Sequence, residues 1–125
     1  MTDNRELEAE KLVKIIVDSI QAKKAKDVVS MNMKNIPNAI TDYFIVCHGT
    51  STTQVEAIAD AAIERMRVEA GEKPWHTEGR ENAEWILIDY VNVVLHVFQE
   101  SVRKFYQLEE LWADADLKTY DDEQD

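Results

Sequence analysis

The sequence holds one cysteine, Cys47, among its 125 residues, which excludes an internal disulfide and a thiolate cluster for zinc. It has three glycines, Gly49, Gly71 and Gly79, whose spacing excludes both the dinucleotide fingerprint G-x-G-x-x-G and the phosphate loop G-x-x-x-x-G-K. Its longest unbroken apolar run, Tyr43 to Cys47, falls far short of the ~20 residues that cross a bilayer. Basic residues are also few. Fourteen Lys and Arg stand against 25 Asp and Glu, a net charge of −11, which argues against general DNA or RNA binding. The only basic cluster, Lys23, Lys24 and Lys26, reads as a solvated helix end. The chain opens on a charged stretch, Asp3 to Glu10, unlike a secretory signal, so the expected location is cytoplasmic, with no membrane and no direct DNA contact. A macromolecular partner of so acidic a chain is expected to be basic.

What is present suits one ordinary domain with its own core: 45% of residues are hydrophobic. Ala9, Leu12, Val13, Ile16 and Ile20 recur at helical spacing, with Asp3 or Asn4 as cap and acids at 6, 8 and 10 near the positive end of the helix dipole. Asp27 to Met33 reads as a strand ending at Asn35-Ile36-Pro37-Asn38, and Tyr43 to His48 as a central strand buried on both faces. Ser51 and Gln54 form a capping-box pattern for a second helix. Its stripe is Val55, Ile58, Ala59, Ala62, Ile63 and Met66, and it stops at Gly71 before Pro74. Strands follow at Trp75 to Glu78, Glu84 to Tyr90 and Asn92 to Phe98, the last two forming a hairpin near Tyr90-Val91. Gln99 to Trp112 reads as one final helix, with Val102, Phe105, Leu108 and Trp112 as its apolar positions. The order α-β-β-α-β-β-β-α predicts an α/β (α+β) fold, a mixed five-stranded sheet flanked by helices in a single domain over 1–113. Residues 114–125, with six acids in twelve, read as a disordered tail.

Few constellations carry chemistry. A strand ending in Gly49-Thr50-Ser51 and feeding a capped helix is similar to the Gly-Ser turn of nucleotidyltransferases, where helix N-terminal amides hold a triphosphate. That chemistry also needs paired carboxylates on the sheet for Mg²⁺. The close pairs here, Glu6/Glu8/Glu10, Asp114/Asp116, Asp121/Glu123 and Glu123/Asp125, are expected off the strands, and Glu56 and Asp60 face water. A turn and helix cap account for the same three residues. His48, His76 and His96 sit on different strands with no shared focus, so no metal site, cofactor or catalytic residue is assigned. Cys47 and His48, adjacent on a strand, point to opposite faces, which leaves no thiol–imidazole pair. In Trp85-Ile86-Leu87-Ile88-Asp89, alternation puts Trp85, Leu87 and Asp89 on one face. Trp85 is either packed at the sheet edge or an exposed interface anchor.

Taken together, the chain resembles the ribosomal silencing factor family (the Iojap-like proteins). The resemblance runs through Asp42-Tyr43-Phe44-Ile45-Val46-Cys47, Gly49-Thr50-Ser51 with Gln54-Val55, Ile58-Ala59-Asp60, Glu78-Gly79 and Trp85-Ile86-Leu87-Ile88-Asp89-Tyr90. It continues in Val93-Val94-Leu95-His96-Val97-Phe98 and Arg103-Lys104-Phe105-Tyr106-Gln107-Leu108-Glu109-Glu110-Leu111-Trp112, covering about residues 5 to 113. It implies a nucleotidyltransferase-like fold without the catalytic carboxylates. The implied function is binding to the large ribosomal subunit through protein uL-fourteen, blocking the small subunit from joining and repressing translation, with a homodimer when free. Because Trp85 shares a strand face with Asp89 within this signature segment, it is expected at the centre of that contact, with Glu78, Asp89, Tyr106 and Glu109 as polar neighbours. The alternative function is a nucleotide-binding or nucleotidyl-transferring enzyme using Gly49-Thr50-Ser51. One departure is local: where the family has Gly in the hairpin turn, this chain has Val91. Either the turn takes another shape or Asn92 takes the left-handed position.

Overall fold

Two patterns in the sequence, period 3.6 and period 2, become two layers in space. The computed structural model describes residues 4–122. In chain order the elements are α1 (Asn4–Ala22), β1 (Lys26–Asn32), β2 (Tyr43–Gly49), α2 (Thr52–Ala70), β3 (His76–Glu78), β4 (Trp85–Asp89), β5 (Val93–Gln99), α3 (Glu100–Tyr106), α4 (Leu108–Leu111) and β6 (Asp116–Thr119). Asp3, Glu123 and Asp125 lie outside the described residues, as does the side chain of Glu6. No helix among the described residues is long and apolar enough to cross a membrane.

The sheet is mixed and six-stranded, in the order β3-β4-β5-β2-β1-β6. Its centre is the parallel pair β2 and β5, Tyr43 opposite Val93 through Gly49 opposite Gln99, and every other pairing is antiparallel. All seven residues of β2 are buried, as its unbroken apolar run predicts. On one face, Ile45, Cys47, Ile86, Ile88, Leu95 and Val97 pack beneath α1 and α2. The expected stripes do this: Ala9, Leu12, Val13, Ile16 and Ile20 of α1 are buried, and so are Val55, Ile58, Ala59, Ala62 and Met66 of α2, with Ile63 partly so. The caps of α2 form as expected. Ser51 Oγ accepts from the Gln54 N–H at 3.1 Å. At the far end Gly71 is left-handed at φ 65°, its N–H bonded to Arg67 O and the Glu72 N–H to Met66 O.

Three expectations are corrected. The tail supplies a sixth strand, because β6 pairs antiparallel with β1 and is bracketed by buried Ala115 and by Tyr120, whose hydroxyl lies 3.1 Å from Ser30 Oγ. Asp116 therefore stands on a strand, opposite Asn32. The final helix is two: Gln107 adopts φ 51°, closing α3 and starting α4, and Phe105, expected in the apolar stripe, is exposed. The hairpin turn follows neither expected course, for Val91 itself holds φ 73°, and among the described residues Asn92 is not one with positive φ. The Asn92 N–H reaches back to Tyr90 O at 2.9 Å, the bond that defines a three-residue turn about Val91.

Candidate docking surface

The second face of the sheet is covered only in part. Phe44, Val46, Val94 and Phe98 lie on it, with Trp85, Leu87, Val102 and Trp112 half-buried at its margin. Alternation along β4 brings Trp85 opposite Phe98, Leu87 opposite His96 and Asp89 opposite Val94. Across β3, Glu78 stands opposite Leu87 and His76 opposite Asp89, so all these residues share one face.

Trp85 is neither of its two expected extremes. It is half-buried, stacked on Phe98 at 4.8 Å between centroids and covered by Tyr106 at 4.8 Å. Its indole N–H donates to His96 Nδ1 at 3.1 Å. Tyr106 arrives there because α3 leaves β5 immediately and packs back against β5 and β2. The break at Gln107 then lays Leu108 and Trp112 onto the sheet, with Trp112 edge-on to Phe44 at 5.9 Å. What stays outside is apolar: Phe105 is 80% exposed, Leu111 69% and Tyr106 51%. Exposed apolar groups grouped on short helices are a feature of interaction surfaces.

The five expected site residues separate. Trp85 and Tyr106 touch, and Glu78 lies on the same face, its carboxylate 2.8 Å from His76 Nε2. Asp89 shares the face too, but its Oδ1 accepts the Val91 N–H at 2.7 Å and is occupied in the turn. Glu109 accepts from Arg103 Nε at 2.8 Å and also from Nη2, so it holds the structure together.

Arg103 had no assigned role in the sequence. It is 9% exposed, and its Nη1 donates to His48 Nδ1 at 2.9 Å and to Lys26 O at 3.3 Å. It thus ties α3 and α4 to β1 and β2. Burial, and then the Arg103 charge, push the His48 imidazole below its usual range. No local motif announces such a residue, since its partners lie 6, 55 and 77 positions away. Burial pushes the Cys47 thiol up to about 12, and Cys47 and His48 face opposite sides of β2 as alternation requires. Among the described residues no group of three His, Cys, Asp or Glu side chains converges to hold a metal.

The Gly49-Thr50-Ser51 turn is filled by its own chain. Gln54 Oε1 accepts from the Thr50 N–H at 2.8 Å and from its hydroxyl at 3.1 Å, while Gln54 Nε2 donates to Lys24 O at 3.2 Å. The carboxamide therefore occupies donors that a phosphate would need.

Comparison with known proteins gives a consistent result. The model of a family described as "ribosomal silencing factor during starvation" matches residues 6–125. The chain is 43% identical over 106 residues to the ribosomal silencing factor RsfS of Halalkalibacterium halodurans, covering 85% of this chain and 89% of that one. It is similar to a solved structure from Chromobacterium violaceum, with a TM-score of 0.78, 31% identity, and coverage of 83% of this chain and 85% of that one. A mouse protein, 25% identical over 115 residues, carries the name mitochondrial assembly of ribosomal large subunit protein 1; the match covers 89% of this chain and 48% of that protein.

Proposed function

The chain belongs to the ribosomal silencing factor family, and we propose that it works by occupation, without catalysis. It docks on the large ribosomal subunit through protein uL-fourteen, excludes the small subunit from the joining face, and so represses translation in the cytoplasm. When free of the ribosome it pairs with a second copy. The nucleotidyltransferase-like character of the fold, without its catalytic carboxylates, belongs to the same reading.

The observation that carries the reading is the aromatic patch around Trp85, half-buried and sharing its sheet face with Glu78, on a chain of net charge −11. Aromatic anchors supply most of the energy at protein interfaces, and acidic rims steer a basic partner into place. A ribosomal protein buried in RNA is such a partner.

Two measurements on Trp85→Ala test it. A half-buried tryptophan should cost about 2 kcal/mol of folding stability, less than the ~3–5 kcal/mol of a fully buried one. Binding to purified large subunits should weaken by ~2–4 kcal/mol, roughly thirtyfold to a thousandfold. Wild-type protein at saturation should abolish joined ribosomes in a sedimentation profile, and Trp85→Ala at the same concentration should not. A folded Trp85→Ala protein that binds large subunits normally would remove Trp85 from the contact. Unchanged joined ribosomes with the wild type would remove the blocking mechanism.

A further inference from the structure

A buried histidine on the same face has one ring nitrogen with a task and one without. His96 is 4% exposed, and among the described residues its Nε2 has no hydrogen-bond partner. Its Nδ1 lies 3.1 Å from the indole nitrogen of Trp85. An indole N–H only donates, so Nδ1 must present its lone pair, and in a neutral imidazole the proton then sits on Nε2. The other tautomer would set two N–H groups against each other and would leave the indole unsatisfied.

The ring therefore leaves a buried donor without a partner in the arrangement that serves Trp85. Packing fixes it there. Phe44 meets the imidazole edge-on, at 4.9 Å and 84°, and the Phe98 ring lies nearly parallel to it, at 6.3 Å and 14°. Burial pushes the imidazole down to about 4, against a smaller opposing pull from Glu109, so the acceptor form persists throughout the neutral range.

We infer that His96 is a positioning residue for the docking contact: its Nδ1 holds the Trp85 indole at one orientation between Phe98 and Tyr106, and so presets the anchor before the partner arrives. This rests on the reading that Trp85 is the anchor. Preorganisation of this kind raises affinity by removing ordering that binding would otherwise impose.

The test compares His96→Leu, which removes the acceptor, with His96→Asn, whose Oδ1 stands near the Nδ1 position. Binding to purified large subunits should weaken on the order of tenfold in His96→Leu, the scale of a buried donor losing its acceptor. His96→Asn should bind within about threefold of wild type. In a Trp85→Phe background, which has no indole N–H, His96→Leu should change binding by less than about twofold. Nitrogen-15 spectra of the unmodified protein should show His96 protonated on Nε2 alone and the Trp85 indole proton hydrogen-bonded, whatever the variants do. Equal binding by His96→Leu and His96→Asn, with Trp85→Ala defective, would overturn the positioning role while leaving the anchor intact. A proton on Nδ1 would overturn it too. A Trp85→Ala protein that binds normally would overturn both statements.

Discussion

The two faces of the sheet are made by the same strands and finished with opposite chemistry. Beneath α1 and α2 lie Ile45, Cys47, Ile86, Ile88, Leu95 and Val97, which pack without directional bonds. On the other side lie Phe44, His48, Trp85, His96, Phe98 and Arg103, where nearly every side chain has a specified partner. Aliphatic packing seals a face and leaves nothing to recognise. Directional contacts among buried side chains hold Trp85 at a fixed angle while part of its ring stays accessible. The sealed face holds the larger cluster of fully buried aliphatic side chains, and the open face holds the polar and aromatic ones.

The largest expected break falls on the open face. Arg103→Ala removes the clasp to His48, Lys26 O and Glu109 together. It leaves a partly buried carboxylate without its cation, at a cost of ~3–5 kcal/mol. Thermal unfolding should show a fall of roughly 10 °C or more. Arg65→Ala on the outer surface of α2 also removes an arginine from a carboxylate, Glu69, at 2.9 Å. That pair is solvated and should cost less than about 0.5 kcal/mol. Equal losses for the two variants would show that the clasp contributes nothing special.

Acid should weaken the open face next. His96 titrates at about 4 when folded, against 6.5 in the free side chain. Between those values the unfolded chain takes up a proton that the folded chain refuses. Stability from this group is thus complete above about pH 6.5 and is lost as pH falls towards 4, by about 3 kcal/mol in all. His48, also lowered, adds in the same direction. On the sealed face, Cys47 and Tyr90 are both pushed up to about 12 and stay neutral throughout this range. Urea melts of wild type and His96→Asn at pH 6.5, 5 and 4 isolate the effect from the many carboxylates. The two stabilities should converge as the pH drops, and parallel curves would contradict the assignment.

The sealed face was legible in the sequence and much of the open face was not. Helical spacing named the buried stripes of α1 and α2, Ser51 and Gly71 marked the ends of α2, and alternation put Trp85, Leu87 and Asp89 on one side. These are local signals. The misses depend on distant partners. All four residues of β6 are exposed, so the strand has no apolar alternation, and only its pairing with β1 makes it a strand. Gln107 breaks the last helix with no glycine or proline to announce it. Glu109, expected at a partner's surface, is held by Arg103.

The smallest effect should be a gain, and it belongs to neither face. Val91 sits in the turn joining β4 to β5 at φ 73°, where its branched Cβ crowds the backbone. Its N–H is held by Asp89 Oδ1 at 2.7 Å, and its carbonyl by Thr41 Oγ1 at 2.9 Å. The flanking Tyr90 N–H bonds to Val93 O at 2.8 Å. The turn is therefore fixed by main-chain bonds that survive loss of the side chain, and the side chain is exposed, so little burial is lost. Glycine normally costs ~0.5–1 kcal/mol in chain entropy, whereas a strained non-glycine backbone costs ~1–3 kcal/mol. Val91→Gly should come out ahead by about 1 kcal/mol, raising Tm by roughly 4 °C. Asn92→Gly, whose backbone is not left-handed, should only destabilise. Binding to large subunits should be unchanged in Val91→Gly, because neither Trp85 nor its neighbours move. A Val91→Gly protein less stable than wild type would mean that the strain is smaller than glycine's entropy, and that the valine is at ease in a turn most residues avoid.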